Sequence, residues 1–95
     1  MTLSVILKRY YMEATTQIHY HGNSAFYRIT SLNHVRFHAV LTDFLGKEKD
    51  IPPKQIDFTH YNHNTTIINY SERTVKKSDV VNVANALMAQ LFLQG

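Results

Sequence analysis

Four short runs in this chain are rich in aromatic and β-branched residues, the first two with a period-two alternation, and a turn signal separates the members of each pair. Gln17-Ile18-His19-Tyr20-His21 and Ala25-Phe26-Tyr27-Arg28-Ile29-Thr30 flank Gly22-Asn23-Ser24, while Gln55-Ile56-Asp57-Phe58-Thr59 and Thr65-Thr66-Ile67-Ile68-Asn69-Tyr70 flank Asn62-His63-Asn64. A period of two sends successive side chains to opposite faces of a pleated strand, and a short connection rich in Gly or Asn folds two such strands back antiparallel. Two β-hairpins are therefore expected.

The end of the chain follows a helical period instead. Ser78 is a good N-cap, Asp79 suits the positive end of the helix dipole and Gly95 closes the segment. Val80, Val83, Ala84, Leu87 and Leu91 fall on one line, flanked by Val81, Met88 and Phe92, so the apolar arc covers about half the circumference. Asn82, Asn85, Ala86, Ala89, Gln90 and Leu93 lie opposite, with Asp79 as the only charge.

Residues 31–45 satisfy both periods. As a helix, Ser31 caps it, Phe37, Val40, Leu41 and Phe44 share a face, and Gly46 with Lys47 ends it. As a strand, Val35, Phe37, Ala39 and Leu41 alternate with Arg36, His38, Val40 and Thr42. The apolar pattern persists through Phe44 and Leu45, which favours the helix. The helical reading also makes Gln17-Ile18-His19-Tyr20 and Gln55-Ile56-Asp57-Phe58 the openings of two strand–strand–helix repeats. Near the N-terminus, Leu3, Ile6, Leu7, Tyr10 and Tyr11 fit a helical face, and Leu3, Val5 and Leu7 fit a short strand. The expected fold is α+β: one domain spanning 1–95, a small antiparallel sheet from two hairpins, and helices at about 32–45 and 78–94 packed on one face.

Composition supports one folded core and excludes several chemistries. Hydrophobic residues make up 44% of the 95 and include six Tyr and five Phe, which is ample for a small interior. The absence of cysteine removes disulfide scaffolds, thiol nucleophiles and every cysteine-based zinc site. Lys8 and Arg9 follow the apolar run Leu3–Leu7, the wrong order for a signal peptide, and Val80–Leu93 is too short and too polar to span a bilayer. A cytoplasmic protein with no membrane partner is the expectation.

Charge is uneven along the chain. Residues 1–38 hold Lys8, Arg9, Arg28 and Arg36 against Glu13 alone, whereas the remainder balances six basic residues against six acidic ones. All of the formal net charge of +3 thus sits in the first part. His19, His21, Phe26 and Arg28 are expected on the outward face of the first hairpin, with Arg36 extending it. Guanidinium groups reach phosphate and aromatic rings stack on unpaired bases, so these five residues are candidates for nucleic-acid binding, with an acidic protein surface as the other partner class.

Histidine supplies the alternative reading. His19 and His21 are spaced i, i+2 for one strand face, and His34 and His38 are spaced i, i+4 for one helix side. Imidazole binds zinc, copper or nickel, and four converging rings would make a histidine-based metal site. No nucleophile elbow, glycine-rich phosphate loop or paired carboxylates accompany them, so the chain is read as a non-enzymatic binding or regulatory protein without a cofactor. Self-association is expected as a homodimer through Asn82, Ala86, Ala89 and Leu93, because the uncharged second face of the C-terminal helix is poorly suited to water.

Overall fold

The computed structural model describes residues 12–71 and 75–94. Five strands follow one another as β1 (Met12–Tyr20), β2 (Asn23–Ser31), β3 (Arg36–Phe44), β4 (Gln55–Tyr61) and β5 (Asn64–Tyr70), with one 3-10 turn at Glu48–Asp50 and the helix α1 (Lys77–Gln94) at the end. Each strand pairs antiparallel with the next, so spatial order is chain order, β1-β2-β3-β4-β5. This is an α+β fold: an antiparallel sheet with a helix on one face.

Both predicted hairpins form, through tighter turns than their composition suggests. Tyr20 pairs with Asn23 and Tyr61 with Asn64, which leaves two-residue loops, His21-Gly22 and Asn62-His63. All four loop residues have positive φ, at 50° and 84° in the first and 53° and 66° in the second. That is the type I′ turn whose twist matches the strands it joins. Gly22 and Asn62 adopt it readily, and the two histidines follow at some cost.

The predicted helix over 32–45 is a correction: this segment is a connection followed by strand β3, which fills the gap between the hairpins. Ser31 does not cap a helix. Its hydroxyl donates to the Asn33 carbonyl at 2.9 Å, and the Asn33 side-chain oxygen accepts from the amides of Val35 and Arg36, both at 2.9 Å, closing a local turn that launches the strand. Burial then alternates, with Phe37 and Ala39 inside and Arg36, His38 and Val40 on the other side. The isolated preference of the segment loses to pairing on both flanks, with β2 and with β4. Gly46 is likewise a close-approach residue, since a Cβ there would lie 2.5 Å from the Phe44 ring and 2.8 Å from the Asn23 side chain. With β3 a strand, the repeated strand–strand–helix unit dissolves as well. The N-terminal amphipathic segment that holds Leu3, Ile6 and Leu7 lies outside the described residues.

One face of the sheet makes the core. Ile18 and Tyr20 from β1, Ala25, Tyr27 and Ile29 from β2, Phe37 and Ala39 from β3, Ile56 and Phe58 from β4 and Ile67 from β5 meet Val80, Val83, Ala84, Leu87 and Met88 of α1. The apolar line read from the helical period is the face that α1 buries. Each large side chain so removed from water contributes about 1.5–3 kcal/mol. The rings of Phe37 and Phe58 pack with centroids 5.6 Å apart across β3 and β4. α1 begins at Lys77, one residue before the predicted start, and the Lys76 carbonyl accepts the first helical bond from Val80. No helix among the described residues is long and apolar enough to cross a membrane.

Three hydrogen bonds tie the β3–β4 connection to the core and β4 and β5 to α1. The Tyr27 hydroxyl donates to the carbonyl of buried Pro53 at 2.6 Å, anchoring the β3–β4 connection. His60, Thr65 and Asn85 form a chain from β4 through β5 to α1. Thr65 donates its hydroxyl proton to Asn85 Oδ1 at 2.6 Å, so the 2.8 Å contact from His60 Nδ1 must be a donation to Thr65 Oγ1.

Candidate functional site

Among the described residues neither a strand nor α1 packs on the second face of the sheet, and the β3–β4 connection borders it at Val40, Thr42 and Gln55; the residues that alternate with the core are exposed or half-buried there. Register sets them in rows across the strands. Gln17, Phe26 and Asp43 form one row; Thr15, Arg28, Val40 and Gln55 form the next. Glu13, Thr30, His38, Asp57 and Asn69 follow, then Arg36, Thr59 and Thr66, and finally Tyr61 beside Asn64. Neighbours within a row stand about 5 Å apart and rows about 7 Å apart.

The structure places four of the five proposed nucleic-acid residues on this face. His19 is exposed at the end of β1, Phe26 is half-buried in the centre of β2, and Arg28 and Arg36 are exposed on β2 and β3. His21 is the exception and a correction. As the first residue of the type I′ turn it leaves the strand, stacks on the Tyr20 ring at 4.2 Å and points Nε2 to Asp79 of α1 at 4.0 Å. The shared strand face expected for His19 and His21 does not exist, because β1 stops one residue before His21.

The electrostatics of the face differ from the basic surface that charge counting suggests. Arg28 Nε lies 3.3 Å from Glu13 Oε2, with both side chains about half exposed. Asp57 and Asp43 share the surface, and Lys8 and Arg9 lie outside the described residues. Arg36 has no ion-pair partner among the described residues. Among the described residues the face thus carries two guanidinium groups against three carboxylates, with Arg36 outside any ion pair, a half-buried phenyl ring, an exposed phenol and many hydroxyl and amide groups.

His38 and Asp57 form its tightest polar contact. They stand opposite each other on β3 and β4, with Nδ1 2.6 Å from Oδ1 and both side chains about a third exposed. Asp57 was not among the residues singled out by sequence. Its strand parity placed it outward, but only the register between β3 and β4, set by a segment read as helix, reveals that it faces His38. Gln55, opposite Val40, depends on the same register.

The four histidines considered as metal ligands are dispersed: His19 on the uncovered face, His21 in the first turn, His34 exposed in the β2–β3 connection and His38 on β3. The i, i+4 helical spacing of His34 and His38 is lost with the helix. Among the described residues no group of three or more His, Asp or Glu side chains is placed to hold a metal ion.

A groove runs between edge strand β1 and α1, lined by Gln17, Ile18, His19, Ala86, Ala89 and Gln90. Of the residues proposed for dimerisation, Asn82 and Ala89 are exposed and Ala86 is half-buried at its margin; the Leu93 side chain lies outside the described set. At the turn end of β1 a second concavity of about 600 Å³ mixes Lys49, Lys54 and Lys76 with Glu48, Asp50 and Asp79. Burial, then the carboxylates of Asp79 and Asp50, push the Tyr20 phenol up there. In comparisons with known proteins, the chain matches no family model, no curated sequence and no solved structure.

Proposed function

We propose that the protein is a non-enzymatic, self-associating binding module whose working surface is the uncovered sheet face and whose ligand is single-stranded nucleic acid. The observation that carries this reading is the placement of His19, Phe26, Arg28 and Arg36 on one sheet face, uncovered by α1, beside the outward side chains of Gln17 and Gln55. Unpaired bases stack on Phe26, Tyr61 and the guanidinium planes, their edges exchange hydrogen bonds with amides and hydroxyls, and Arg36 meets a phosphate.

Charge balance gives this reading a distinctive signature. With Arg28 shared by Glu13, only one or two phosphates are neutralised, so the logarithm of affinity should fall with the logarithm of salt at a slope of only about −0.7 to −1.4. Affinity rests mainly on stacking. Fluorescence anisotropy with a labelled single-stranded oligonucleotide at low salt tests it: Phe26→Ala is expected to weaken binding about tenfold, as loss of one stacked base implies, and Arg36→Ala to flatten the salt slope. Asn82→Ala, on α1, should do neither. Absence of binding by the wild-type protein, or binding indifferent to both substitutions, refutes the assignment.

A further inference from the structure

We infer that two copies of this chain associate edge to edge through β1, in an antiparallel register that sets Glu13 of one copy against the partner's His19. The inference rests on the self-association proposed above and names its surface.

β1 is an edge strand without the devices that usually keep edges apart. Met12–Tyr20 contains no Pro, no Gly and no Lys, and its nine residues pair with β2 in unbroken register. The opposite edge differs, since β4 and β5 slip in register between Asp57 and Phe58. Among the described residues no strand lies beyond β1.

Parity fixes which main-chain groups face outward. Tyr20 and Asn23 flank a two-residue loop and form its hydrogen-bonded pair, so bonding to β2 continues through Ile18, Thr16 and Ala14. The amides and carbonyls of Glu13, Thr15, Gln17 and His19 therefore point away from the sheet. A second strand must match these odd residues with odd residues.

Among the two-fold registers that obey this parity, one overlaps all nine residues: the one centred on Thr16. It places Glu13 opposite the partner's His19 and Thr15 opposite the partner's Gln17, each twice by symmetry. The carboxylate then accepts from an imidazole N–H while Arg28 holds its other flank. On the core side, Ala14 lies opposite the partner's Ile18 and Thr16 falls on the axis, with Thr16 and Ile18 already buried within the single chain. Shifting the register by two residues in either direction puts Glu13 opposite Gln17 or opposite no strand residue, and shortens the overlap.

The helix permits the approach. α1 borders β1 with small residues, Ala86 and Ala89, and the α1 sequence carries no charge beyond Asp79 after Lys77. The two uncovered faces would join into one ten-stranded surface, doubling the length available to a strand ligand.

Sedimentation velocity of the full chain at high micromolar concentration tests the inference, with Thr15→Pro as the first variant. Thr15 directs its amide outward, so proline removes an intermolecular bond without breaking a ladder bond to β2. A wild-type dimer that becomes a monomer with an unchanged circular dichroism spectrum supports it. The charge series keeps the test decisive if Thr15→Pro fails to fold: Glu13→Lys and His19→Glu should each weaken dimerisation about tenfold, and the double variant should regain most of the loss. A dimer indifferent to both substitutions overturns the β1 interface while leaving self-association standing. A wild-type monomer overturns both, and β1 amides protected from exchange in that monomer would assign the edge to residues 1–11 of the same chain.

Discussion

Replacing Tyr27 with Phe removes a single oxygen from the centre of the core, and the structure sets the cost. Tyr27 has no exposed surface, and its hydroxyl is the donor that satisfies the buried Pro53 carbonyl at 2.6 Å. Proline brings no amide of its own, so this bond is the main-chain tie between the β3–β4 connection and the sheet interior at that point. Leaving a buried acceptor without its donor costs about 1–3 kcal/mol, partly offset because phenylalanine is easier to desolvate than tyrosine. A net loss of about 1.5 kcal/mol is expected. Unfolding a chain of this length has an entropy of about 200 cal/mol/K, so Tm should fall by about 7 °C. Urea unfolding should show a lower midpoint with the slope unchanged, since the exposed surface is the same.

A second measurement separates this account from a simple packing defect. Burial, and then Tyr20, push the Tyr27 phenol above its usual value near pH 10. The unfolded chain therefore loses this proton first as pH rises. The stability contributed by the neutral phenol is complete below about pH 10 and declines above it, by about 1 kcal/mol for the first pH unit. Phenylalanine has no such alkaline limb. The deficit of Tyr27→Phe should thus shrink between pH 9 and 11, and Tyr61→Phe, at an exposed site, should behave as wild type throughout. A Tm change below about 2 °C at neutral pH, or a deficit that stays constant into alkali, would refute the reasoning.

Two further outcomes follow from the histidines. His60 is held below the usual imidazole value by desolvation and then by His63, so its contribution is intact above about pH 6.5 and declines as pH falls; His60→Gln should flatten the acid side of a Tm-against-pH curve. Zinc or nickel at micromolar concentration should leave Tm unmoved, because the described residues offer no set of three converging ligands. A rise abolished by His34→Ala would require such a set.

The hairpins and the helix were legible because each carries its evidence locally. Ile18 and Tyr20, Phe26 and Arg28, Ile56 and Phe58 alternate within a few residues of a turn, and Val80, Val83, Leu87 and Leu91 repeat within one segment. β3 was not legible for the opposite reason. Val40 is apolar yet lies on the face turned away from the core, and Leu41, Phe44 and Leu45 extend the run, so that a helical stripe is favoured over a strand alternation until neighbours are known. What decides is Phe37 and Ala39 packing between β2 and β4, a non-local contact to which propensity is blind.

The site depended on that one element more than the fold did. Parity within the hairpin strands already sends Phe26, Arg28 and Asp57 outward, but assigning residues 31–45 to a helix places His38 on a helix side and splits the surface into two unrelated hairpin faces. Once β3 is inserted, five strands share one face and the ledger of charge changes with it. Arg28 stands beside Glu13 and His38 beside Asp57, and of the four basic residues in positions 1–38 the described sheet holds Arg28 and Arg36, offset there by Glu13, Asp43 and Asp57. A ligand for such a face must therefore be held more by stacking and directional hydrogen bonds than by phosphate attraction, which is why the proposed binding is expected to depend only shallowly on salt.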